Sequence, residues 1–138
     1  MGVFNPGLLI DFDCENFEAD ITVGSGIGFV DLAEITLTVN SPTNAVWLNA
    51  YATWVGTSAA DFITFQFVRD DNVVLCSAID SVDQANQPDT TAFSCCDTEV
   101  DAGVHTYTLQ ASVTHPSGGP QTAVTFTMGS LQGAVINT

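Results

Sequence analysis

Four cysteines, two histidines and a run of acids are the residues here whose types could do chemistry. Cys14, Cys76, Cys95 and Cys96 match no zinc pattern with two-residue gaps. Disulfides are the expectation, and with them an oxidising final location. Free buried thiols are the alternative. Adjacent residues on a strand point to opposite faces, so Cys95 and Cys96 must seek different partners. His105 falls on the apolar face of "HTYTLQASV" and reads as a satisfied core or interface histidine, while His115 opens the turn "HPSGGPQ". No serine sits in a nucleophile elbow. "GSGIG" at 24–28 has neither the lysine nor the helix of a phosphate loop. "DFDCENFEAD" places Asp11, Asp13, Glu15, Glu18 and Asp20 close together, an oxygen-rich stretch that could hold Ca²⁺. It lacks the glycine turn of an EF-hand and reads as a solvated acidic arm. The chain is therefore expected to be no enzyme, with no metal and no cofactor.

Charge narrows the partners. Among 138 residues Arg69 is the only lysine or arginine, and the formal net charge is −15. Nucleic acid and anionic membrane surfaces need basic side chains to release counterions, so neither is an expected partner. No run of 18 apolar residues exists to form a spanning helix. Hydrophobic residues make up 46% of the chain and charged ones 12%, so part of the apolar surface is expected to meet other copies. The N-terminal stretch is unlike a signal peptide, because no basic residue opens it and Pro6, Gly7, Asp11 and Asp13 interrupt it.

What would position these residues is a set of strands. Ile35, Leu37 and Val39 alternate with Glu34, Thr36 and Thr38. In "AVWLNAYATWV", Val46, Leu48, Ala50, Ala52 and Trp54 share one face, and Trp47, Asn49, Tyr51, Thr53 and Val55 the other. Ile63, Phe65 and Phe67 line one side of "FITFQFVR"; Tyr107, Leu109, Ala111 and Val113 join His105, and Val124, Phe126 and Met128 align. A period of two with abundant Thr, Val and Phe is the pattern of half-buried strands. Turn residues punctuate them, and "RDDN" at 69–72 is a tight hairpin whose Asp and Asn tolerate positive φ. The expected fold is an all-β antiparallel jelly-roll sandwich over residues 29–138. Residues 1–28 would precede it as a connector arm, with Gly24, Gly26 and Gly28 as its hinge. Trp47 and Tyr51 oppose Leu48 and Trp54, so one strand is aromatic on both faces and a neighbouring subunit is expected to cover the second.

The stretches "SPTNAVWLNAYATW", "ITFQFVRDDNVVLCSAIDS", "DAGVHTYTLQASV" and "VTFTMGSLQGAVI" resemble the tumour-necrosis-factor-like jelly rolls of Bacillus-type spore surfaces, over roughly residues 30–136. In that group such domains form the heads of collagen-like exosporium glycoproteins; with no Gly-X-Y repeat, this chain is more similar to F-type endospore appendage subunits. The resemblance implies a compact homotrimer with Trp47, Tyr51, Trp54, Phe65, Phe67 and Tyr107 in the trimer core. It implies a place on the spore surface or exosporium, reached by mother-cell lysis, with a spore-surface anchoring protein as a further partner. Val3, Phe4, Leu8, Leu9, Ile10 and Phe12 would insert into the next trimer of a head-to-tail fibre. Cys14 would then bond Cys95 or Cys96 of that neighbour. A rival arrangement folds the leader back as an edge strand of its own domain. Two other function classes stay open: a secreted carbohydrate- or receptor-binding module using Trp47 or Trp54, and a pilin-like subunit exchanging donor strands.

Overall fold

Residues 8–116 and 120–137 are described by a computed structural model. Among these described residues nine strands follow one another: β1 (Leu9–Phe17), β2 (Ile21–Gly24), β3 (Val30–Val39), β4 (Asn44–Gly56), β5 (Phe62–Arg69), β6 (Val73–Ser81), β7 (Pro88–Asp97), β8 (Gly103–Thr114) and β9 (Ala123–Asn137). They form two antiparallel sheets, one in the order β1-β9-β4-β7 with β2 also on β9, the other in the order β3-β8-β5-β6. This interleaving of early and late strands is the jelly roll, two Greek keys wrapped into a sandwich. The alternations expected in β3, β4, β5 and β8 are all present as inward and outward faces.

The inward faces meet in one core. Ile35 and Leu37, Leu48 and Trp54, Phe65 and Phe67, Tyr107 and Leu109, and Phe126 and Leu131 are all buried in it. Each such side chain contributes about 1.5–3 kcal/mol by leaving water. Phe65 meets Phe126 edge-on across the sandwich at a centroid distance of 5.8 Å, and Phe67 lies 4.5 Å from Phe93. The hairpin at 69–72 has the expected geometry: Asp70 and Asp71 take φ of 52° and 66°, and the Asn72 N–H donates to the Arg69 carbonyl at 3.2 Å.

Two expectations are corrected here. Leu9, Ile10 and Phe12 do not lie in a detached connector, because β1 pairs with β9 from Leu9↔Ile136 to Phe17↔Gly129. Residues 9–24 are thus strands of the sandwich, the rival edge-strand arrangement, and Phe17 is buried over Gly129, where a Cβ would strike its ring. Leu8 joins the same edge through its carbonyl, which accepts from the Asn137 N–H at 2.7 Å, while Val3 and Phe4 lie outside the described residues. Second, the glycine segment is a pinned turn. Gly26 and Gly28 adopt φ of 80° and 93°, which glycine accepts without strain, but Ser25 and Gly26 donate backbone hydrogen bonds to Thr122 and Val113.

Candidate functional site

The groups that looked chemically capable are occupied in holding the fold. Asp13 and Asp11 accept hydrogen bonds from the backbone N–H groups of Thr36 and Thr38 at 3.0 and 2.8 Å. The acidic stretch thereby closes the seam between β1 and the otherwise open edge of β3. His105 Nδ1 lies 2.6 Å from Asp70 and its Nε2 2.7 Å from the Asp101 carbonyl, so both ring nitrogens are engaged. Burial alone would lower the His105 pKa, but the Asp70 carboxylate and the Asp101 carbonyl outweigh it and the net shift is upward. Asp70 moves the opposite way: burial would raise it, yet the hydrogen bonds from His105 and the Thr106 N–H, with the charges of His105 and Arg69, bring it below the ordinary value. His115 Nδ1 is 2.6 Å from the fully buried Asp61, which also accepts from Thr122.

Arg69 donates to buried Asp97 at 2.6 Å, and the Tyr107 hydroxyl donates to the same carboxylate oxygen at 2.9 Å. Burial first, and then the neighbouring Asp97, push the Tyr107 hydroxyl far above its usual range. This cluster ties β5 and β8 of one sheet to β7 of the other.

The aromatic residues assigned to a trimer core divide into two groups. Trp54, Phe65, Phe67 and Tyr107 are at most 1% exposed and belong to the chain's own interior, so they cannot line a contact between copies. Their strands alternate as expected, but these members point at the opposing sheet. Trp47 and Tyr51 lie on the outer face instead, 54% and 38% exposed.

The cysteines also divide. Cys76 of β6 and Cys95 of β7 are bonded across the two sheets, with Cα atoms 6.2 Å apart. Cys95 is therefore not free for a neighbouring copy, which corrects half of the pairing that the resemblance implied. Cys14 and Cys96 are free and exposed. Cys95 points inward and Cys96 outward, the separation that their adjacency demands.

These observations converge on the outer face of the β1-β9-β4-β7 sheet. Its register sets side chains in rows across the four strands. Phe12, Ala134, Trp47 and Cys96 form one row. Cys14, Gln132, Asn49 and Ser94 form the next, and Asn16, Ser130, Tyr51 and Ala92 the third. Met128, Thr53 and Thr90 follow. None of these residues is charged, in a chain with sixteen acids. A depression lies between Asn49, Tyr51, Ser94, Ser130 and Gln132, and a second, sharing Asn49 and Ser94, reaches Trp47 and Cys96. Ser130 is 3% exposed, and its buried hydroxyl has no hydrogen-bond partner among the described residues. Such a group costs about 1–3 kcal/mol unless something satisfies it.

No family model matches the sequence, and no curated protein does. Among solved structures the chain is similar to a chain of infectious bursal disease virus, Gt strain, with a TM-score of 0.63 and 10% identity over 96% of this chain and 37% of that one. The Gx strain gives a TM-score of 0.56 and 6% identity over 91% and 32% of the two chains. T=1 particles derived from the same virus give 0.53 and 11% identity over 99% and 41%. The chain thus spans well under half the length of these proteins. At such identities the likeness is one of fold, and it agrees with the jelly-roll topology traced above.

Proposed function

We propose that the chain is a structural, self-assembling β-sandwich subunit whose outer β1-β9-β4-β7 face is its contact with other copies. The observation that carries this reading is the contrast between that face and the rest of the molecule. Copies of net charge −15 repel wherever their acids approach, and a contact that brings together only uncharged rows avoids most of that cost. Trp47 and Tyr51 supply the large amphipathic side chains on which subunit contacts concentrate. The finer reading is a homotrimer about this face, extended head to tail through the segment ahead of Leu9, where Val3 and Phe4 lie, into a fibre on the spore surface. The sequence resemblance supports that location, and similarity in fold to a chain of virus-derived T=1 particles is compatible with assembly.

Sedimentation and negative-stain microscopy of the reduced protein test the reading. Association into trimers or larger arrays is expected, and Trp47→Glu should weaken it about thirtyfold or more, the effect of losing a hot spot worth about 2 kcal/mol. A reduced protein that stays monomeric at every accessible concentration rejects it.

One observation favours a second reading. The depression on the same face joins the Tyr51 ring to the amides of Asn49 and Gln132 and to the partnerless Ser130 hydroxyl. Neutral donors and acceptors beside an aromatic face suit a carbohydrate. Monomers that bind a neutral glycan, and lose it on Tyr51→Ala, would establish this reading in place of the first.

A further inference from the structure

We infer that the Cys76–Cys95 disulfide is a redox-sensitive clasp: a small thiol that reduces it leaves the subunit folded but lets the middles of β6 and β7 part, opening the core behind them. This device lies on a different side of the molecule from the proposed contact and works whether or not copies associate. The two lateral sides of the sandwich are closed by different means. On one, Asp13 and Asp11 of β1 accept from the backbone N–H groups of Thr36 and Thr38 of β3, and Phe17 is buried. On the other, β6 and β7 are edge strands of opposite sheets, and among the described residues no backbone hydrogen bond joins them. No residue of β6 is buried, and Asp97 is the only buried residue of β7. Little apolar area therefore holds either strand down.

The ends of the two strands are pinned. Val82 and Asn86 of the crossover donate to the carbonyls of Asp61 and Gly56 at 2.9 and 2.8 Å, and Arg69 holds Asp97 at 2.6 Å. Between those pins, among the described residues, the gap is crossed by the disulfide and by the Thr91 hydroxyl, which donates to Asp80 at 2.6 Å. Behind them the half-buried Phe93 ring closes the core, its centroid 4.5 Å from Phe67 and 5.9 Å from Phe65. Reduction leaves the Thr91–Asp80 hydrogen bond to hold the gap alone. Both cysteines are half-buried, within reach of a thiol such as glutathione. A glutathione thiolate attacks one protein sulfur, the S–S bond breaks, and the other cysteine leaves as thiolate. A second glutathione thiolate attacks the glutathione sulfur of that mixed disulfide and releases the remaining cysteine. Two glutathiones become one oxidised molecule, and their thiol protons end on Cys76 and Cys95. The bridge joins residues 19 apart in sequence. Freeing open states from a loop of that size makes opening about a hundredfold more frequent. Closed molecules still dominate, so the outer rows on β7 persist after reduction.

The test is amide hydrogen exchange on the full chain carrying Cys14→Ser and Cys96→Ser, which leaves Cys76 and Cys95 as its only cysteines, with and without excess reduced glutathione. Loss of the bond should speed exchange in β6 and β7 about a hundredfold. That exchange should be insensitive to low denaturant, the mark of local opening, while β3 and β8 keep the dependence of complete unfolding. A disulfide that survives excess glutathione overturns the inference. So does unchanged exchange in β6 and β7 once the bond is broken. A reduced chain that loses its strand signal in circular dichroism, or whose strands all speed up together with a steep denaturant dependence, overturns it as well.

Discussion

The two sheets face solvent in opposite states of completion. Outside the β3-β8-β5-β6 sheet, the polar groups satisfy one another. Gln66 donates to Gln110 at 2.8 Å, Gln110 donates to Asp31 at 2.8 Å, and Thr108 donates to Glu34 at 3.4 Å. The acids at that end stand on the edge strand β3, where they stay solvated and discourage pairing with another sheet. The other face has no charge in its rows, three large aromatic side chains partly in water, two unbonded thiols and a buried hydroxyl without a partner among the described residues. One fold and one period of two produce both faces. Their difference supports the proposed contact: polar groups are hydrogen-bonded to one another on one side, while the rows of the other are uncharged.

That contrast can be attacked most forcefully at what the two sheets share. Arg69→Met removes the cation opposite buried Asp97, and uncompensated burial of that carboxylate should cost about 3–5 kcal/mol in thermal or denaturant unfolding. Both sheets should lose structure in a single transition, because Asp97 belongs to one and Arg69 to the other; two separate transitions would show that they are independent. The next largest effect separates the faces. Trp47→Glu should lower the association constant about thirtyfold, whereas Ile79→Glu, at a still more exposed apolar site on the opposite sheet, should leave it unchanged. Equal losses would mean that the faces are not distinct.

Smaller changes should differ in sign. Gln110→Ala breaks the finished ladder and should cost about 1 kcal/mol of stability with no effect on association. Ser130→Ala relieves an unpaired hydroxyl and should leave the isolated subunit as stable or more so. A loss of stability in isolated Ser130→Ala would show that the hydroxyl is already satisfied without a partner.

The smallest effect is a pH profile. His105 is raised above its ordinary 6.5, so its contribution is fully present below that pH and disappears as pH rises through the folded value. Asp70 is lowered from 3.8, so its contribution is present above that pH and disappears as pH falls through the folded value. Together they should add stability between about pH 4 and 6.5, and His105→Gln should flatten the melting profile on the alkaline side of that window. An unchanged profile would remove the pair from the account.

Much of the fold was legible because β3, β4, β5 and β8 keep apolar residues on the inward positions. β1 was hidden by an inversion of the same rule. Its alternation is regular, but Phe12 and Cys14 face outward while Asp11 and Asp13 turn toward β3. An alternating segment with its acids on the inner side reads as a solvated arm until the open N–H groups of β3 are seen beside it. The candidate site was half visible. The second aromatic face of β4 pointed to a covered surface and located Trp47 and Tyr51. Alternation by itself cannot say which of a strand's two faces meets the chain's own opposing sheet, so Trp54, Phe65, Phe67 and Tyr107 were placed on the wrong side of that division. Ser130 and Gln132 carry no such signal in a stretch of small residues, and only the register sets them beside Tyr51. The disulfide partners were equally unreadable, since β6 and β7 are edge strands of different sheets that meet only in the folded sandwich.

The ion pair at Arg69 has one more consequence, for resistance to proteolysis. With no lysine and one arginine, the chain offers an enzyme of trypsin-like specificity a single peptide bond, Arg69–Asp70. That arginine is held by Asp97, and the next residue is locked against Thr106 and His105 by hydrogen bonds from both backbone and side chain. Cleavage there requires opening the hairpin and the core cluster together, so digestion must wait for unfolding. A fold assembled around its only basic residue hides the one place where such proteases could begin.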